Sequence, residues 1–98
     1  MGTTVVILDM KVKKEAVADL KAGLKEMLPD TRAYDGCQGV DIYEDLDTSG
    51  HLVFYERWDS KEHYQRYLNW RTETGAMEQL GKALDGEPSI KYFDRVDA

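Results

Sequence analysis

The chain has 98 residues, of which 42% are apolar and 33% charged, and this predicts one globular domain over residues 1–98. Its formal net charge of -6 disfavours nonspecific binding to nucleic acid or to an anionic membrane. The sequence shows neither an apolar run long enough to span a membrane nor a secretory signal, and its single cysteine excludes an internal disulfide framework. These features favour a cytoplasmic protein.

The first third of the chain predicts a strand, a helix and a loop. Over residues 4–12 every second residue is apolar and the residues between them are partly apolar, which is typical of a strand with both faces at least partly covered. Residues 14–28 place their apolar side chains along one stripe, which predicts an amphipathic helix. Pro29 lacks a backbone N–H, so we expect it to end this helix and to open a loop over residues 29–36.

The rest of the chain predicts a hairpin, two helices and a last strand. Residues 37–44 and 51–58 read as strands, and the segment 45–50 between them is rich in turn-forming residues. The remaining predictions are a helix that Asp59 or Ser60 caps and that runs to about Trp70, a helix over residues 74–84, and a strand over residues 89–96.

This order of elements is typical of an α+β protein with the ferredoxin-like βαββαβ arrangement, in which helices cover one face of a four-stranded antiparallel sheet. We expect the other face to carry Val5, Ile7, Val53, Tyr55 and Tyr92, which together are too apolar to face water. Because small domains have modest cores, we expect a homodimer in which the same face of a second chain covers this surface.

A carboxylate and an indole stand out at the end of the third predicted strand. Glu56 and Trp58 are two residues apart, so their side chains point to the same face as Phe54. The pair therefore ends an otherwise apolar stripe beside the start of a helix. Such a surface is a plausible wall for a small apolar pocket with one polar group.

Three short motifs resemble one known family. They are Arg32 shortly before Gly36-Cys37, the strand-to-helix junction Tyr55-Glu56-x-Trp58-x-Ser60, and Pro88-Ser89-Ile90 at the start of the last strand. Over nearly the whole chain, this pattern resembles the antibiotic biosynthesis monooxygenase (ABM) family of dimeric α+β barrels.

The resemblance implies an oxygenase that needs no cofactor. Known family members oxidise quinols, anthrones or haem, others act on small signalling molecules, and several use oxygen without metal, flavin or nicotinamide. In keeping with this, the sequence has no glycine-rich dinucleotide loop and no His/Cys cluster at metal-ligand spacing. We therefore expect no cofactor and no metal.

The sequence also departs from the family at positions that matter. Haem-degrading members carry an asparagine on the first strand where this chain has Leu8, and a histidine after the position of Trp70, where this chain has none. Haem degradation is therefore not expected. Many other members have a histidine seven residues after the junction serine, and this chain has Tyr67 there.

The residues predicted to carry the chemistry are Glu56, Trp58, Tyr67 and His63. An apolar surrounding would raise the pKa of Glu56 and make it a base, whereas an ion pair with Arg32 or Arg71 would lower that pKa. The Trp58 indole could stack on a planar substrate or close the core. His63, in the first turn of a helix, could transfer a proton or face solvent.

The residues predicted to bind the substrate are Arg32, Tyr43, Phe54, Tyr64 and Arg71. Either arginine could bind a substrate carboxylate or phenolate, or brace a neighbouring group. Tyr64 lies on an aromatic helix face that could be core or pocket wall. Tyr43 would contribute from the second strand.

We therefore predict a cofactor-independent monooxygenase of a planar quinol-like or polyketide-like aromatic molecule. A second hypothesis is an isomerase or lyase of the same fold that transfers a proton through Glu56 or Tyr67. A third is a module that binds a small molecule or acts in stress without catalysis. Three observations would separate these hypotheses. Oxygen uptake would favour the monooxygenase, and proton exchange at a carbon acid without oxygen use would favour the isomerase or lyase. A pocket too small for a ligand would favour the module without catalysis.

Overall fold

The computed structural model describes residues 2–98. Its elements are, in chain order, β1 (Thr4–Lys11), a short 3-10 helix (Lys14–Ala16), α1 (Val17–Ala33), β2 (Cys37–Glu44), β3 (His51–Trp58), α2 (Lys61–Glu73), α3 (Ala76–Ala83) and β4 (Ser89–Asp94). The bounds of β2 and β3 agree with the prediction, and β4 ends two residues earlier than predicted.

The four strands form one antiparallel sheet in the order β2-β3-β1-β4. This topology confirms the predicted α+β, ferredoxin-like fold. One face of the sheet packs against the helices, because the alternate residues of β1 and β3 that point to it are mostly apolar, with Glu56 as the charged exception. The main core cluster joins both layers and consists of Leu8, Met10, Val12, Leu24, Leu28, Val40, Leu52, Phe54 and Leu84.

The prediction that Pro29 ends the first helix is wrong, because α1 continues to Ala33. A proline inside a helix removes the hydrogen bond to the carbonyl four residues earlier and costs about 3 kcal/mol. Here that carbonyl belongs to Lys25, and both residues lie on the exposed side of α1. The opposite side buries Leu28 and Thr31, so tertiary packing outweighs the local penalty.

The predicted loop over residues 29–36 is correspondingly wrong, since only residues 34–36 connect α1 to β2. Gly36 adopts a left-handed conformation with φ of 90°, and its backbone carbonyl accepts a hydrogen bond from the Asp59 N–H. This short turn joins the start of β2 to the junction between β3 and α2.

The helical segment after β3 is divided differently from the prediction. Ser60 is the N-cap of α2, and its hydroxyl accepts a hydrogen bond from the backbone N–H of His63. The helix runs beyond Trp70 to Glu73, and α3 then begins after Gly75, whose φ is 82°. The left-handed glycine changes the chain direction between the two helices.

The second face of the sheet is open in the isolated chain. Val5, Ile7, Val53 and Tyr55 lie on it, half-buried, as predicted. The prediction for Tyr92 is wrong, because it pairs with Val6 and therefore points to the helical side, against Tyr64. Its neighbour Phe93 occupies the open face instead and is 47% exposed.

Over residues 2–98, the helices are too short or too polar to cross a lipid bilayer.

Candidate functional site

A cavity of about 450 Å³ lies between the sheet and the helices. Its walls are mostly apolar and include Leu8, Val40 and Phe54 from the sheet, Leu24, Met27 and Leu28 from α1, Leu68 from α2, and Met77 and Leu80 from α3. Its polar lining includes Glu56 from β3, Thr31 from α1, and Tyr64, Tyr67 and Arg71 from α2. The size and the mixture of a large apolar wall with few polar groups are typical of small-molecule sites.

The cavity opens between α1 and α3. Three of its lining residues are exposed to solvent, and these are Asp19 and Gly23 on α1 and Gln79 on α3. A side chain built on Gly23 would meet nothing within 4 Å of its first carbon, so the rim is unobstructed at this point.

Glu56 is the buried acid of the cavity. It points to the helical side together with Phe54 and is 4% exposed. Within the described chain its carboxylate has one hydrogen-bond partner, the Nε1–H of Trp58, which donates to Oε1 over 3.0 Å. Burial raises the pKa of Glu56 to about 7, although this hydrogen bond lowers it in part. The carboxyl can therefore gain and lose a proton near neutral pH.

The ion pair considered as the alternative for Glu56 does not form. Arg32 donates from Nη2 to the backbone carbonyl of Val40 over 2.9 Å. Arg71 bonds to neutral oxygens of α1 and to Tyr67. Neither guanidinium contacts the Glu56 carboxylate, so nothing opposes the effect of burial except the indole N–H.

Trp58 is fully buried and stands behind the cavity wall rather than in it. Its ring lies 5.1 Å from that of Tyr67 and 5.5 Å from that of Tyr64, measured between centroids. The indole packs in the core and does not line the cavity, so the cavity lining does not support its predicted stacking on a substrate. The N–H of Trp58 instead fixes the position of the Glu56 carboxylate.

A buried polar cluster joins α1 to α2 at the cavity. The hydroxyls of Thr31 and Tyr67 are 2.7 Å apart, and Arg71 Nε donates to the Tyr67 hydroxyl over 3.0 Å. Arg71 Nη2 also donates to Thr31 Oγ1 over 2.9 Å and to the Met27 carbonyl over 3.0 Å. Burial raises the pKa of Tyr67 above its ordinary value, although its hydrogen bonds to Thr31 and Arg71 lower it.

With this geometry in view, comparison with known proteins decides the family. The family model for antibiotic biosynthesis monooxygenase matches residues 3–79. The chain belongs to the ABM family. This confirms the resemblance inferred from the motifs.

Individual relatives of this ABM protein agree with that assignment. A Mycobacterium tuberculosis protein named "Putative monooxygenase Rv0793" is 38% identical over 78 residues, which cover 74% of this chain and 76% of the relative. The solved structure of Rv0793 covers 98% of this chain and 97% of its own, with 30% identity and a TM-score of 0.76. A conserved protein from Methanosarcina mazei Go1 superposes with a TM-score of 0.85, covering 95% and 92% of the chains; at 22% identity it shows the shared fold.

The cavity of the ABM domain is lined by five of the predicted site residues, which are Phe54, Glu56, Tyr64, Tyr67 and Arg71. Tyr43 does not, because it pairs with Val53 on the open face of the sheet and is 58% exposed. Arg32 lies in the last turn of α1 rather than in a loop, and its bond to the Val40 carbonyl makes it a brace between α1 and β2.

His63 also lies outside the cavity of the ABM domain. Its Nδ1 is 2.6 Å from the Ser60 hydroxyl, and its Nε2 is 3.9 Å from the carboxylate of Asp35. The ring packs so closely over Gly36 that a methyl group there would collide with it. His63 therefore supports the turn before β2 and is not placed to exchange a proton with Glu56.

The sequence reasoning missed Thr31. The assumption that α1 stops at Pro29 removed Thr31 from the helix face that it shares with Leu24 and Leu28. Its position, three residues after Leu28, is the signal that could have identified it. Over residues 2–98, no group of three or more His, Cys, Asp or Glu side chains is arranged to hold a metal ion.

Proposed function

We propose that this ABM protein is a cofactor-independent monooxygenase that acts on a planar quinol-like or polyketide-like aromatic molecule in the cavity. One observation carries the proposal: a carboxyl group with a pKa of about 7, held by a single indole N–H, lines an apolar cavity of ligand size. A base that titrates near the working pH is what proton removal from a weak carbon acid requires.

The reaction balances with molecular oxygen as the only co-substrate. Ionised Glu56 removes a proton from the activated ring CH₂ group of an anthrone, or of the keto tautomer of a quinol, and the resulting anion gives one electron to oxygen. The two radicals combine to a peroxide anion, which takes the proton back from Glu56, and loss of water leaves a carbonyl group. Overall, CH₂ and O₂ become C=O and H₂O, and the mostly apolar wall of the cavity shields the anion from solvent.

The polar cluster of α2 supplies the donors for the negative charge that develops on the substrate oxygen. Arg71 provides a fixed cation, and Tyr67 can donate its own proton into the cavity when Thr31 donates to it. Trp58 acts through Glu56 as a positioning residue. In this proposal Glu56 is the base, and Tyr67, which Arg71 polarises through its Nε–H, stabilises the oxyanion.

We further propose that the protein works as a cytoplasmic homodimer. The half-buried apolar residues of the open face, together with exposed Phe93, support self-association through this surface. Analytical ultracentrifugation of the wild type and of Phe93→Lys tests it. The wild type should sediment as a dimer and the variant should dissociate more readily; a monomeric wild type would refute the dimer.

Oxygen consumption with anthrone and naphthohydroquinone tests the proposed chemistry. The wild type should consume oxygen, and Glu56→Gln should lower the rate about 100-fold or more, the usual contribution of a general base. Gly23→Phe should abolish turnover by filling the mouth, whereas Gly23→Ala, the matched control, should retain it.

The same assay separates the other two hypotheses. Deuterium exchange at the carbon acid without oxygen consumption would contradict oxygenation and point to an isomerase or lyase. Tight binding of both compounds with neither exchange nor oxygen consumption would leave a binding module.

A further inference from the structure

The Arg71 guanidinium is a buried cation for which the protein provides no counter-ion. The side chain is 7% exposed and lines the cavity. The ion pairs within residues 2–98 do not include it, so no carboxylate lies within 4.0 Å of its nitrogens. Its hydrogen-bond partners are the Met27 carbonyl and the Thr31 and Tyr67 hydroxyls, all of them neutral. Its Cζ also lies 4.4 Å from the centroid of the Trp70 ring, which is a neutral partner too. A buried charge is stable where an opposite charge accompanies it, so this site lacks an anion.

The hydrogen bonds of Arg71 leave one nitrogen of its guanidinium group, Nη1, without an acceptor. A guanidinium has five N–H donors, one on Nε and two on each Nη. Nε donates to Tyr67, and Nη2 donates to both Met27 and Thr31. Nη1 has no acceptor among the described residues. The engaged nitrogens fix the plane of the group, and the two free N–H groups on Nη1 remain for an oxygen that enters the cavity.

We propose that the cavity binds an aromatic molecule that carries an ionised carboxylate, and that Arg71 Nη1 receives this carboxylate. A carboxylate supplies both the missing charge and the missing acceptor, and such charge-assisted hydrogen bonds are the strong ones. The inference rests on the proposed function only in taking this cavity as the substrate site, and it narrows the substrate to aromatic acids.

Glu56 cannot be the missing anion. It stands on β3, whereas Arg71 stands on α2, and Arg71 is absent from the groups that influence the pKa of Glu56. A ligand that reaches both side chains would present its carboxylate to Arg71 and its ring to Glu56. The two polar groups would then bind different parts of one molecule.

Arg71 is the one cation among the cavity-lining residues that the structure describes. Asp19 lies at the mouth, Glu56 lies inside, and the chain as a whole carries a net charge of -6. A general positive field is therefore excluded as a source of carboxylate binding. The Tyr67 hydroxyl can donate to charged and neutral oxygens alike, so a preference for the charged ligand depends on Arg71.

Calorimetric titration with naphthoate and naphthamide, which share the ring system and differ in charge, tests the inference. The titration is done at about pH 6, where the carboxylate is ionised and Glu56 is mostly neutral. The wild type should bind naphthoate about 10- to 100-fold more tightly than naphthamide. Arg71→Met should lose this preference, whereas the matched control Arg66→Met, at an exposed arginine of α2 outside the cavity, should keep it.

Equal affinity of the wild type for the two compounds would overturn the inference, and so would a preference that survives in Arg71→Met. The wild-type comparison decides the matter even if Arg71→Met does not fold. Oxygen consumption is a separate readout: a carboxylate preference without oxygenation would leave the ligand class standing and refute the monooxygenase. Oxygenation of neutral anthrone without a carboxylate preference would support the monooxygenase and refute the proposed ligand class.

Discussion

Replacing Glu56 with glutamine should remove a large pH dependence from the folding stability. In the folded protein burial raises the pKa of Glu56 from the ordinary 4.5 to about 7. Below pH 4.5 the carboxyl is neutral in both the folded and the unfolded state. Between pH 4.5 and about 7 the unfolded chain loses this proton while the folded protein keeps it, and above 7 the folded protein carries a buried charge. Stability is therefore present at low pH and is lost as the pH rises.

The size of this loss follows from the two pKa values. At about 1.36 kcal/mol for each pH unit between them, ionisation of Glu56 costs the folded protein about 3 kcal/mol above neutral pH. Glutamine has no charge to bury and can still accept the hydrogen bond from Trp58. From acidic to alkaline pH, the free energy of unfolding of the variant should therefore rise by about 3 kcal/mol relative to that of the wild type.

Urea denaturation of both proteins across this pH range measures the difference. The other titrating groups are present in both proteins, so their contributions cancel in the difference between the two free energies of unfolding. The pH dependence of that difference comes from position 56. Gln65→Asn, an exposed change on α2 that alters no charge, is the control and should give a difference that does not vary with pH. If the free energies of unfolding of Glu56→Gln and the wild type differ by the same amount at every pH, the raised pKa of Glu56 is refuted, and with it the proposed base.

Three further changes test the surroundings of this acid. Trp58→Phe removes the donor that lowers the pKa of Glu56, so the loss of stability should continue to a pH above 7; a loss that still ends near 7 would show that the indole N–H does not act on the carboxyl. Tyr67→Phe removes a buried hydroxyl with two hydrogen-bond partners and should cost about 1–3 kcal/mol in urea denaturation, clearly more than Tyr64→Phe, since the Tyr64 hydroxyl makes no hydrogen bond within the described residues. Gly23→Ala, on an exposed position of α1 with open space around it, should raise the thermal midpoint through a gain of about 0.5–1 kcal/mol; a loss would mean that α1 is distorted there.

Local chemistry was sufficient to predict much of the fold. The strands β2 and β3 have the predicted bounds because residues of high strand propensity alternate on both sides of a turn-forming segment. The same alternation placed Glu56 on the inner face, where the structure has it. It also placed the side chains of Tyr43 and Val40, both on β2, on different faces of the sheet. The sequence therefore already contained the reason why Tyr43 does not reach the cavity.

Properties that depend on contacts between distant residues could not be predicted. Local rules place a helix end at Pro29, but the burial of Leu28 and Thr31 keeps α1 intact. The cluster of Thr31 with Tyr67 and Arg71 depends on this continuation, so only its half on α2 was expected. The facing of Tyr92 depends on the register between β4 and β1, which a single strand pattern leaves open.

The central claim, that Glu56 is a titrating acid inside a ligand cavity, can be tested on one atom. Carbon-13 NMR of the Glu56 carboxyl should show a midpoint near pH 7 in the free protein. Saturation with naphthoate should raise the midpoint further, because the ligand ring packs against Glu56, removes water from it and so disfavours ionisation. A midpoint near 4.5, or one that naphthoate leaves unchanged, would contradict the account.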